Sequence, residues 1–197
     1  MKKIISLFQR NYETDRLVRN EVVPGAEWVI SGEGVATRKF DGTCCLVRDG
    51  KLYKRYEVKQ GKKTPTNFEP ANEIDETTGK QQGWVPVGEG PEDKWHREAI
   101  AYGEKYTVPV YDNLHINQLN DKTFELCGPN IQGNPEGFAV HVLLEHGCDL
   151  LGDVPRNFDD IKAWLATQDI EGIVWHHPDG RMAKIKKKDF GLKRKPV

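Results

Sequence analysis

The sequence predicts an α+β fold in which antiparallel sheets carry helices on their outer side. The dipeptides Asp49-Gly50 and Asp179-Gly180 each stand between segments of β-forming residues, and such dipeptides favour the positive φ angles of tight hairpin turns. Within 160–167, apolar residues recur at helical spacing, which predicts a helix. The chain is long enough for one substantial core, so we expect a single domain over residues 1–197.

The composition excludes a polycation of the kind that coats nucleic acid. The chain has 29 basic and 30 acidic residues, a formal net charge of −1, and the 37% hydrophobic content of a soluble globular protein. Basic charge is concentrated near the C-terminus instead. It comes from Lys184, Lys186, Lys187, Lys188, Lys193, Arg194 and Lys195. This run fits either a phosphate-bearing partner or a solvated basic tail.

Targeting and redox signals favour a cytoplasmic protein. The apolar run within residues 4–8 is short and lacks a cleavage pattern, and no stretch approaches the roughly 18 apolar residues of a membrane span. The four cysteines lack C-x-x-C spacing, and the six histidines form no convincing metal set, since His141 and His146 have no evident third ligand. We therefore expect neither disulfides nor zinc.

The first predicted hairpin covers Thr43 to Val58 and turns at Asp49-Gly50. A two-residue turn fixes the cross-strand pairs. The expected pairs are Arg48 with Lys51, Leu46 with Tyr53, and Cys44 with Arg55.

The second predicted hairpin covers Gly172 to Ile185 and turns at Asp179-Gly180. A two-residue turn would give one face an acid, two lysines and two apolar side chains. These residues are Glu171, Ile173, Trp175, Lys184 and Lys186. On the same register, Val174 and Ile185 would enter the core.

Between the hairpins, residues 60–93 are polar and rich in Gly, Pro and Thr, which predicts a long surface excursion with Trp84 and Trp95 anchoring its ends. Such a segment could form a mobile lid or a solvated insertion without a role. Residues 92–105 are compatible with a short helix.

Three further elements are predicted beyond that segment. The strand Thr123 to Cys127 alternates, so Glu125 faces away from Phe124 and Leu126. A second strand is predicted over 138–144. The helix over 160–167 would bury Ile161, Trp164 and Leu165 and be capped by Asn157 or Asp159.

The candidate nucleophile is Lys39, which follows the strand-like Val35-Ala36-Thr37 and precedes Asp41-Gly42. A lysine attacks only when its amine is deprotonated, which burial or a neighbouring cation favours. Glycine beside it permits close approach of the backbone to a ligand.

An attack by Lys39 on the α-phosphate of a nucleoside triphosphate would place the later charged residues in defined roles. Lys184 and Lys186 would stabilise negative charge on the phosphate oxygens. Asp41 and Glu171 would hold a hydrated Mg²⁺, and Glu125 would accept a hydrogen bond from ribose or join the metal shell.

The ordered motifs resemble those of the covalent nucleotidyltransferases, the superfamily of ATP-dependent DNA and RNA ligases and mRNA capping enzymes. The resemblance extends from Thr37 to about Lys188. Its motifs are Lys39-Phe40-Asp41-Gly42, Tyr53-Lys54-Arg55-Tyr56, Phe124-Glu125-Leu126-Cys127-Gly128, Glu171-Gly172-Ile173-Val174 and Lys184-Ile185-Lys186. It implies a nucleotide pocket between antiparallel sheets, AMP carried covalently on Lys39, and Arg55 on the ribose.

The resemblance implies these site residues. The catalytic residues expected are Lys39, Glu171, Lys184 and Lys186. The cofactor-binding residues expected are Thr37, Arg38, Lys39, Asp41, Gly42, Arg55, Glu125, Glu171, Lys184 and Lys186. The metal, Mg²⁺ or Mn²⁺, is expected at Asp41 and Glu171. Phe40, Phe138 or Trp175 would stack on adenine.

One departure from the motifs of the superfamily favours an RNA ligase over a DNA ligase. DNA ligases usually show K-x-D-G-x-R, but Cys44 occupies the arginine position, and Arg55 across the hairpin would supply the guanidinium. The longer phrases 39–45, 128–135 and 171–176 look most like the RNA ligase family that includes the vertebrate 5′-to-3′ RNA ligase.

That family implies joining of an RNA 5′-phosphate to a 3′-hydroxyl with ATP. The lysine takes AMP from ATP, AMP passes to the 5′-phosphate, and the 3′-hydroxyl displaces AMP. About ten residues follow the fifth motif, so we expect no appended C-terminal domain. The alternatives are an ATP-dependent DNA ligase, a GTP-using capping enzyme and a non-catalytic nucleotide- or RNA-binding module.

Overall fold

The computed structural model describes residues 4–59, 61–76, 78–106 and 116–194, and these form a mixed α+β structure. The antiparallel pairing predicted from the hairpin signals is confirmed. In chain order the strands and helices are β1 Ile5–Ser6, β2 Phe8–Arg10, β3 Val18–Val22, α1 Glu27–Ile30, β4 Val35–Lys39, β5 Thr43–Arg48, β6 Lys51–Lys59, β7 Glu69–Pro70, β8 Lys80–Pro86, α2 Lys94–Lys105, β9 Lys122–Cys127, β10 Val142–Glu145, α3 Phe158–Thr167, β11 Gly172–His176 and β12 Met182–Lys186.

The described chain divides into two compact units. The first unit consists of Asp41–His146, and the second consists of Ile4–Phe40 together with the residues from Gly147 onward. The Lys39-Phe40-Asp41-Gly42 motif therefore contributes its lysine to the second unit and its Asp-Gly to the first.

The first unit is built on a six-stranded antiparallel sheet with the order β10-β9-β5-β6-β8-β7. One face of the sheet packs an apolar core that includes Val47, Phe124 and Leu126, and Ala99 of α2 belongs to the same core. We call the opposite side of this sheet its polar face. It carries Thr123 and Glu125, which alternate with Phe124 and Leu126 along β9. It also carries Arg55 beside a small apolar cluster of Leu46, Tyr53 and Trp84.

The first hairpin folds with the predicted register. Arg48 pairs with Lys51 and Leu46 pairs with Tyr53. Both Asp49 and Gly50 have positive φ, as a two-residue turn of this type requires.

The segment 60–93 contributes strands to this sheet. β8 pairs with β6 along seven residues, and β7 pairs with β8 at the sheet edge. Trp84 is buried and Trp95 packs against the core, as the anchoring prediction requires. Strand structure at 80–86 was missed in the sequence because its polar glutamines and Gly83 hide the β pattern.

The second unit is built on a four-stranded sheet with the order β1-β12-β11-β4, in which only the short β1 runs parallel to its neighbour. Its core includes Ile161 and Leu165 of α3 packed with Trp175 and Ile185 of the sheet. The predicted helix is confirmed, with Asn157 as its cap, because the Asn157 side chain accepts a hydrogen bond from the backbone N–H of Asp160 at 3.0 Å.

The predicted register of the second hairpin is wrong by one residue. The hairpin loop is Pro178–Gly180, closed by the His177 N–H donating to the carbonyl of Arg181, and Gly180 has a φ of 90°. This is a three-residue loop, a turn followed by one left-handed residue, rather than the expected two-residue turn.

One extra loop residue exchanges the two faces of the hairpin. Val174 now pairs with Lys184, and Gly172 pairs with Lys186. Ile173 and Trp175 lie fully buried in the core beside Ile185, whereas they were expected next to the lysines.

The predicted strand 138–144 is also partly wrong, since pairing covers only Val142–Glu145 and residues 138–141 precede the strand. The short helix near 92–105 is confirmed as α2, preceded by a 3₁₀ turn over Pro91–Asp93.

Candidate active site

Three lysines lie on one face of the second unit's sheet. Lys39 of β4 and Lys186 of β12 flank Gly172 on the central strand β11, and Lys184 pairs with Val174 in the next row. Side chains on neighbouring strands at the same register point to the same face, so the sheet brings the predicted lysines together. We call Lys39, Lys184, Lys186 and Glu171 the lysine cluster.

Glu171 joins the lysines Lys39 and Lys186. Its Oε2 atom lies 2.5 Å from Lys39 Nζ, and its Oε1 atom lies 2.6 Å from Lys186 Nζ. Burial alone would raise the pKa of Glu171, but the positive charges of Lys39 and Lys186 outweigh it and hold that pKa below its usual value. Glu171 is therefore an ionised carboxylate at neutral pH.

Lys184 has an unusually acidic ammonium group. Burial, together with the positive charges of Lys186 and Lys39, lowers the pKa of Lys184 to about 8. Glu171 opposes this shift only in part. A lysine with such a pKa changes its charge readily when an anion arrives, because a negative ligand stabilises the ammonium form.

Gly172 is required where Lys39 and Lys186 flank the central strand. A Cβ at this position would lie 2.1 Å from the carbonyl oxygen of Ile185 and 2.8 Å from the Cα of Lys186. Both neighbours are backbone atoms of the paired strand, which cannot move aside without breaking the ladder. The glycine of the Glu171-Gly172 motif thus lets β12 carry Lys186 close to Glu171.

Thr37 lies on the lysine face, and Arg38 lies on the other. The Thr37 hydroxyl donates to the carbonyl of Val174 at 3.1 Å, and its oxygen is 3.1 Å from Nε2 of His176. Arg38 alternates with Thr37 and Lys39, and its guanidinium stacks on the Phe40 ring at 5.0 Å. The structure therefore does not bring the Arg38 side chain into the lysine cluster.

In the first unit, Glu125 is the centre of a hydrogen-bonded group. Its Oε1 atom accepts a hydrogen bond from the Gly42 N–H at 3.1 Å, and its Oε2 atom lies 2.8 Å from Nε2 of His146. The Asp41 N–H donates to the Glu136 carboxylate at 2.8 Å. A Cβ on Gly42 would lie 2.2 Å from the Leu126 carbonyl oxygen, so only glycine fits against β9 here.

Arg55 shares the polar face with Glu125. Its guanidinium stacks on Trp84 at 4.9 Å and donates to the Gln82 side-chain oxygen at 2.5 Å. Burial lowers the pKa of Arg55, and the nearby Cys44 acts in the opposite direction. The β5/β6 ladder ends at the Cys45–Lys54 pair, one step from the predicted Cys44–Arg55 pair.

Sequence reasoning missed His146 and excluded it as a metal ligand for want of a third donor. The structure provides two donors beside it, Cys44 and Glu125. Only the pairing of β9 with β10, across the long loop between them, brings His146 near Glu125.

Trp175, one of three residues expected to stack on adenine, is wrong for that role because it is fully buried in the core.

The charges of the lysine cluster favour an anion over a bare cation. Three lysines surround one carboxylate, and both oxygens of Glu171 already accept ammonium hydrogen bonds. A divalent cation fits beside Glu171 only together with negative ligand groups such as phosphate oxygens, which would neutralise the lysines.

Comparison with known proteins identifies the family. The model of the RNA ligase 1 family matches residues 62–197. The chain belongs to the RNA ligase 1 family. The matched segment contains Glu125, Glu171, Lys184 and Lys186, whereas Lys39 precedes it.

Individual members of the family are similar over most of the chain. RNA ligase 1 of Rattus norvegicus is 28% identical, over 80% of this chain and 67% of the rat protein. RNA ligase 1 of Danio rerio is also 28% identical, with the same two coverages.

Among the described residues, no helix has the length and hydropathy needed to cross a lipid bilayer.

Proposed function

We propose that this protein is an ATP-dependent RNA ligase that forms a lysyl-AMP intermediate on Lys39. The observation that carries the proposal is the hydrogen-bonded connection of Lys39 to Lys186 through Glu171, with Lys184 beside them. Membership in the RNA ligase 1 family supports RNA as the polynucleotide. The ends joined are a 5′-phosphate and a 3′-hydroxyl, as the sequence resemblance implies.

In the first step, the lone pair of Lys39 Nζ attacks the α-phosphorus of ATP. Lys39 reacts as the neutral amine after its ammonium proton has passed to solvent. A P–N bond forms, the bond from the α-phosphorus to the bridging oxygen breaks, pyrophosphate leaves, and the nitrogen releases a second proton to solvent. Lys184 and Lys186 stabilise the charge that builds on the phosphate oxygens. Because the pKa of Glu171 is lowered, this carboxylate orients Lys39 more effectively than it holds a proton.

Residues of the first unit enter the proposal through the sequence resemblance. Glu125 accepts a hydrogen bond from ribose, Arg55 binds ribose or phosphate, and the Gly42 backbone approaches the nucleotide. The resemblance assigns Asp41 and Glu171 to a Mg²⁺ or Mn²⁺ ion, which these carboxylates would hold through its water shell. When bound, the cation would supply additional charge stabilisation at the phosphate oxygens.

In the later steps, AMP passes to the RNA 5′-phosphate and is displaced by the 3′-hydroxyl. The exposed Lys188 and Lys193 after β12 would attract the RNA backbone, so joining would weaken as salt increases. A cytoplasmic location belongs to the same proposal, since the four cysteines, all within the described residues, form no disulfide.

The decisive experiment compares wild type, Lys39→Ala and Lys162→Ala after incubation with α-labelled ATP or GTP and Mg²⁺. Lys162 is an exposed lysine of α3 in the same unit and serves as the matched control. Wild type and Lys162→Ala should acquire one AMP by intact mass, and Lys39→Ala should acquire none.

The same preparations are then given RNA or DNA ends with 5′-phosphates and 3′-hydroxyls. Joining of RNA in preference to nicked DNA supports the RNA assignment. Adduct on Lys39→Ala, or no adduct on wild type after pyrophosphate has removed any preloaded AMP, would refute the lysyl-AMP proposal.

A further inference from the structure

A cysteine, a glutamate and a histidine converge on the polar face of the first unit's sheet. The Sγ atom of Cys44, a carboxylate oxygen of Glu125 and a ring nitrogen of His146 all lie within 4.8 Å of one another. Glu125 is buried, whereas Cys44 and His146 are partly exposed. These three residues form what we call the Cys-Glu-His cluster.

The sheet holds this cluster in place through backbone pairing. Cys44 on β5 pairs directly with Glu125 on β9. The backbone N–H of His146 donates to the carbonyl of Thr123 at 3.0 Å, which extends the β9/β10 ladder past its last strand residue. Two donors therefore lie on adjacent strands, and the third lies directly after the end of β10, where backbone hydrogen bonding fixes it.

The histidine is oriented as a metal ligand is. Its Nδ1 atom lies 3.0 Å from the Thr123 hydroxyl, and its Nε2 atom lies 2.8 Å from Glu125 Oε2. The 2.8 Å separation is that of a hydrogen bond from Nε2–H to the carboxylate. In the other tautomer Nδ1–H donates to the Thr123 hydroxyl, and the Nε2 lone pair then faces a cation that Glu125 also binds. A metal-bound histidine characteristically has its other N–H fixed by such a partner.

We propose that Cys44, Glu125 and His146 bind Zn²⁺, with water completing a tetrahedral site. A sulfur, an imidazole nitrogen and a carboxylate oxygen match Zn²⁺, whereas Mg²⁺ prefers oxygen ligands alone. Tetrahedral zinc separates such donors by about 3.3 to 3.6 Å. The upper limit of 4.8 Å on the donor separations exceeds this range by about 1 Å, so binding requires side-chain shifts of that order.

The charges of the cluster also suit a divalent cation. A thiolate and a carboxylate together balance the charge of Zn²⁺. Arg55 lies near Cys44 on the same face, and its guanidinium is held by Trp84 and Gln82.

The site has a regulatory consequence that rests on the proposed function. Glu125 is assigned to the ribose of ATP, and the same carboxylate binds zinc. Zinc and nucleotide therefore compete, and stoichiometric Zn²⁺ slows formation of the lysyl-AMP adduct.

The test of metal binding uses Co²⁺ as a spectroscopic probe on the full chain after chelator treatment. Wild type should bind one Co²⁺ with a near-ultraviolet thiolate-to-cobalt charge-transfer band that Zn²⁺ abolishes. Cys44→Ser should lose the band, and His146→Gln should weaken Co²⁺ binding at least tenfold. Cys148→Ser, which removes a partly exposed thiol outside the cluster, should retain the band. Circular dichroism establishes that each variant is folded.

Absence of the band in wild type, or its persistence in Cys44→Ser, would overturn the zinc site. This readout does not require catalysis, so it decides the site even if no adduct forms with ATP. The ratio of adduct formation with and without Zn²⁺ is then measured for each variant. A ratio that is equal in wild type and His146→Gln would overturn the competition.

Discussion

The Oε2 atom of Glu171 lies 2.5 Å from Nζ of Lys39, although 131 residues separate them along the chain. The same carboxylate holds Lys186 at 2.6 Å, so the candidate nucleophile and a phosphate-binding lysine share one orienting group. The pairing of β4 and β12 with the two sides of β11 produces this arrangement.

Replacing the shared carboxylate should impair the first step more than it impairs nucleotide binding. In Glu171→Gln we expect adduct formation to slow by about 100-fold, because the amide neither neutralises nor orients Lys39 as the carboxylate does. Single-turnover adenylylation with labelled ATP measures the rate. The exposed Glu21→Gln on β3 is the matched control and should react as wild type does. An unchanged rate in Glu171→Gln would contradict the orienting role.

The same contact predicts an acid-dependent loss of stability. The pKa of Glu171 is lower in the folded protein than in the unfolded chain, so its contribution is complete above the unfolded pKa of about 4.3 and is lost as pH falls through the folded pKa. At pH 7, Glu171→Gln should lower the free energy of unfolding by about 2 kcal/mol. Below pH 4 this difference should shrink.

Denaturant unfolding of wild type and Glu171→Gln between pH 3 and pH 7 measures this difference. Glu21→Gln again provides the comparison. A difference between wild type and Glu171→Gln that is constant across the range would show that the carboxylate charge is not the source of the stabilisation.

The two hairpins show what local sequence can specify. Asp49-Gly50 predicted both the turn and the register correctly, because both residues occupy the left-handed region. Asp179-Gly180 predicted the turn but not the register. Pro178 supplies the φ of an early turn position, which lengthens the loop by one residue and leaves only Gly180 left-handed. Pro178 was therefore the sequence signal from which the three-residue loop could have been predicted.

The candidate site was predictable where motifs lie on paired strands and less so elsewhere. Lys39, Lys184, Lys186 and Glu171 do come together, even though the register used to argue for it was wrong. His146 was not predictable in the same way. Its position beside Glu125 depends on how β10 returns along β9, and the loop between these strands carries no register signal.

The close packing of Gly172 predicts a large cost for adding one methyl group. In Gly172→Ala the new Cβ would meet the backbone of β12, so we expect the free energy of unfolding to fall by about 2–3 kcal/mol. Gly88 is the matched control, because a Cβ there would meet only a side-chain oxygen of Asp93 at 3.7 Å. Gly88→Ala should change the free energy of unfolding by less than about 0.5 kcal/mol. Similar losses in both variants would contradict the steric argument.

The pKa of about 8 for Lys184 predicts that nucleotide binding takes up a proton. Phosphate oxygens stabilise the ammonium form, so the pKa rises on binding, and at pH 8 the uptake should approach about half a proton per site. In the free protein the ammonium is lost as pH rises through 8. Nucleotide affinity should therefore fall between pH 7 and pH 9.

Isothermal titration calorimetry at pH 8 measures the uptake, using two buffers of different ionisation enthalpy and an α,β-methylene ATP analogue that cannot release pyrophosphate. Lys184→Arg stays charged throughout this range, so it should bind the analogue without the uptake. Lys184→Met has no cation at this position and should bind more weakly, also without uptake. Lys162→Ala should behave as wild type. Equal proton uptake by wild type and Lys184→Arg would assign the titration to another group and remove Lys184 from the phosphate site.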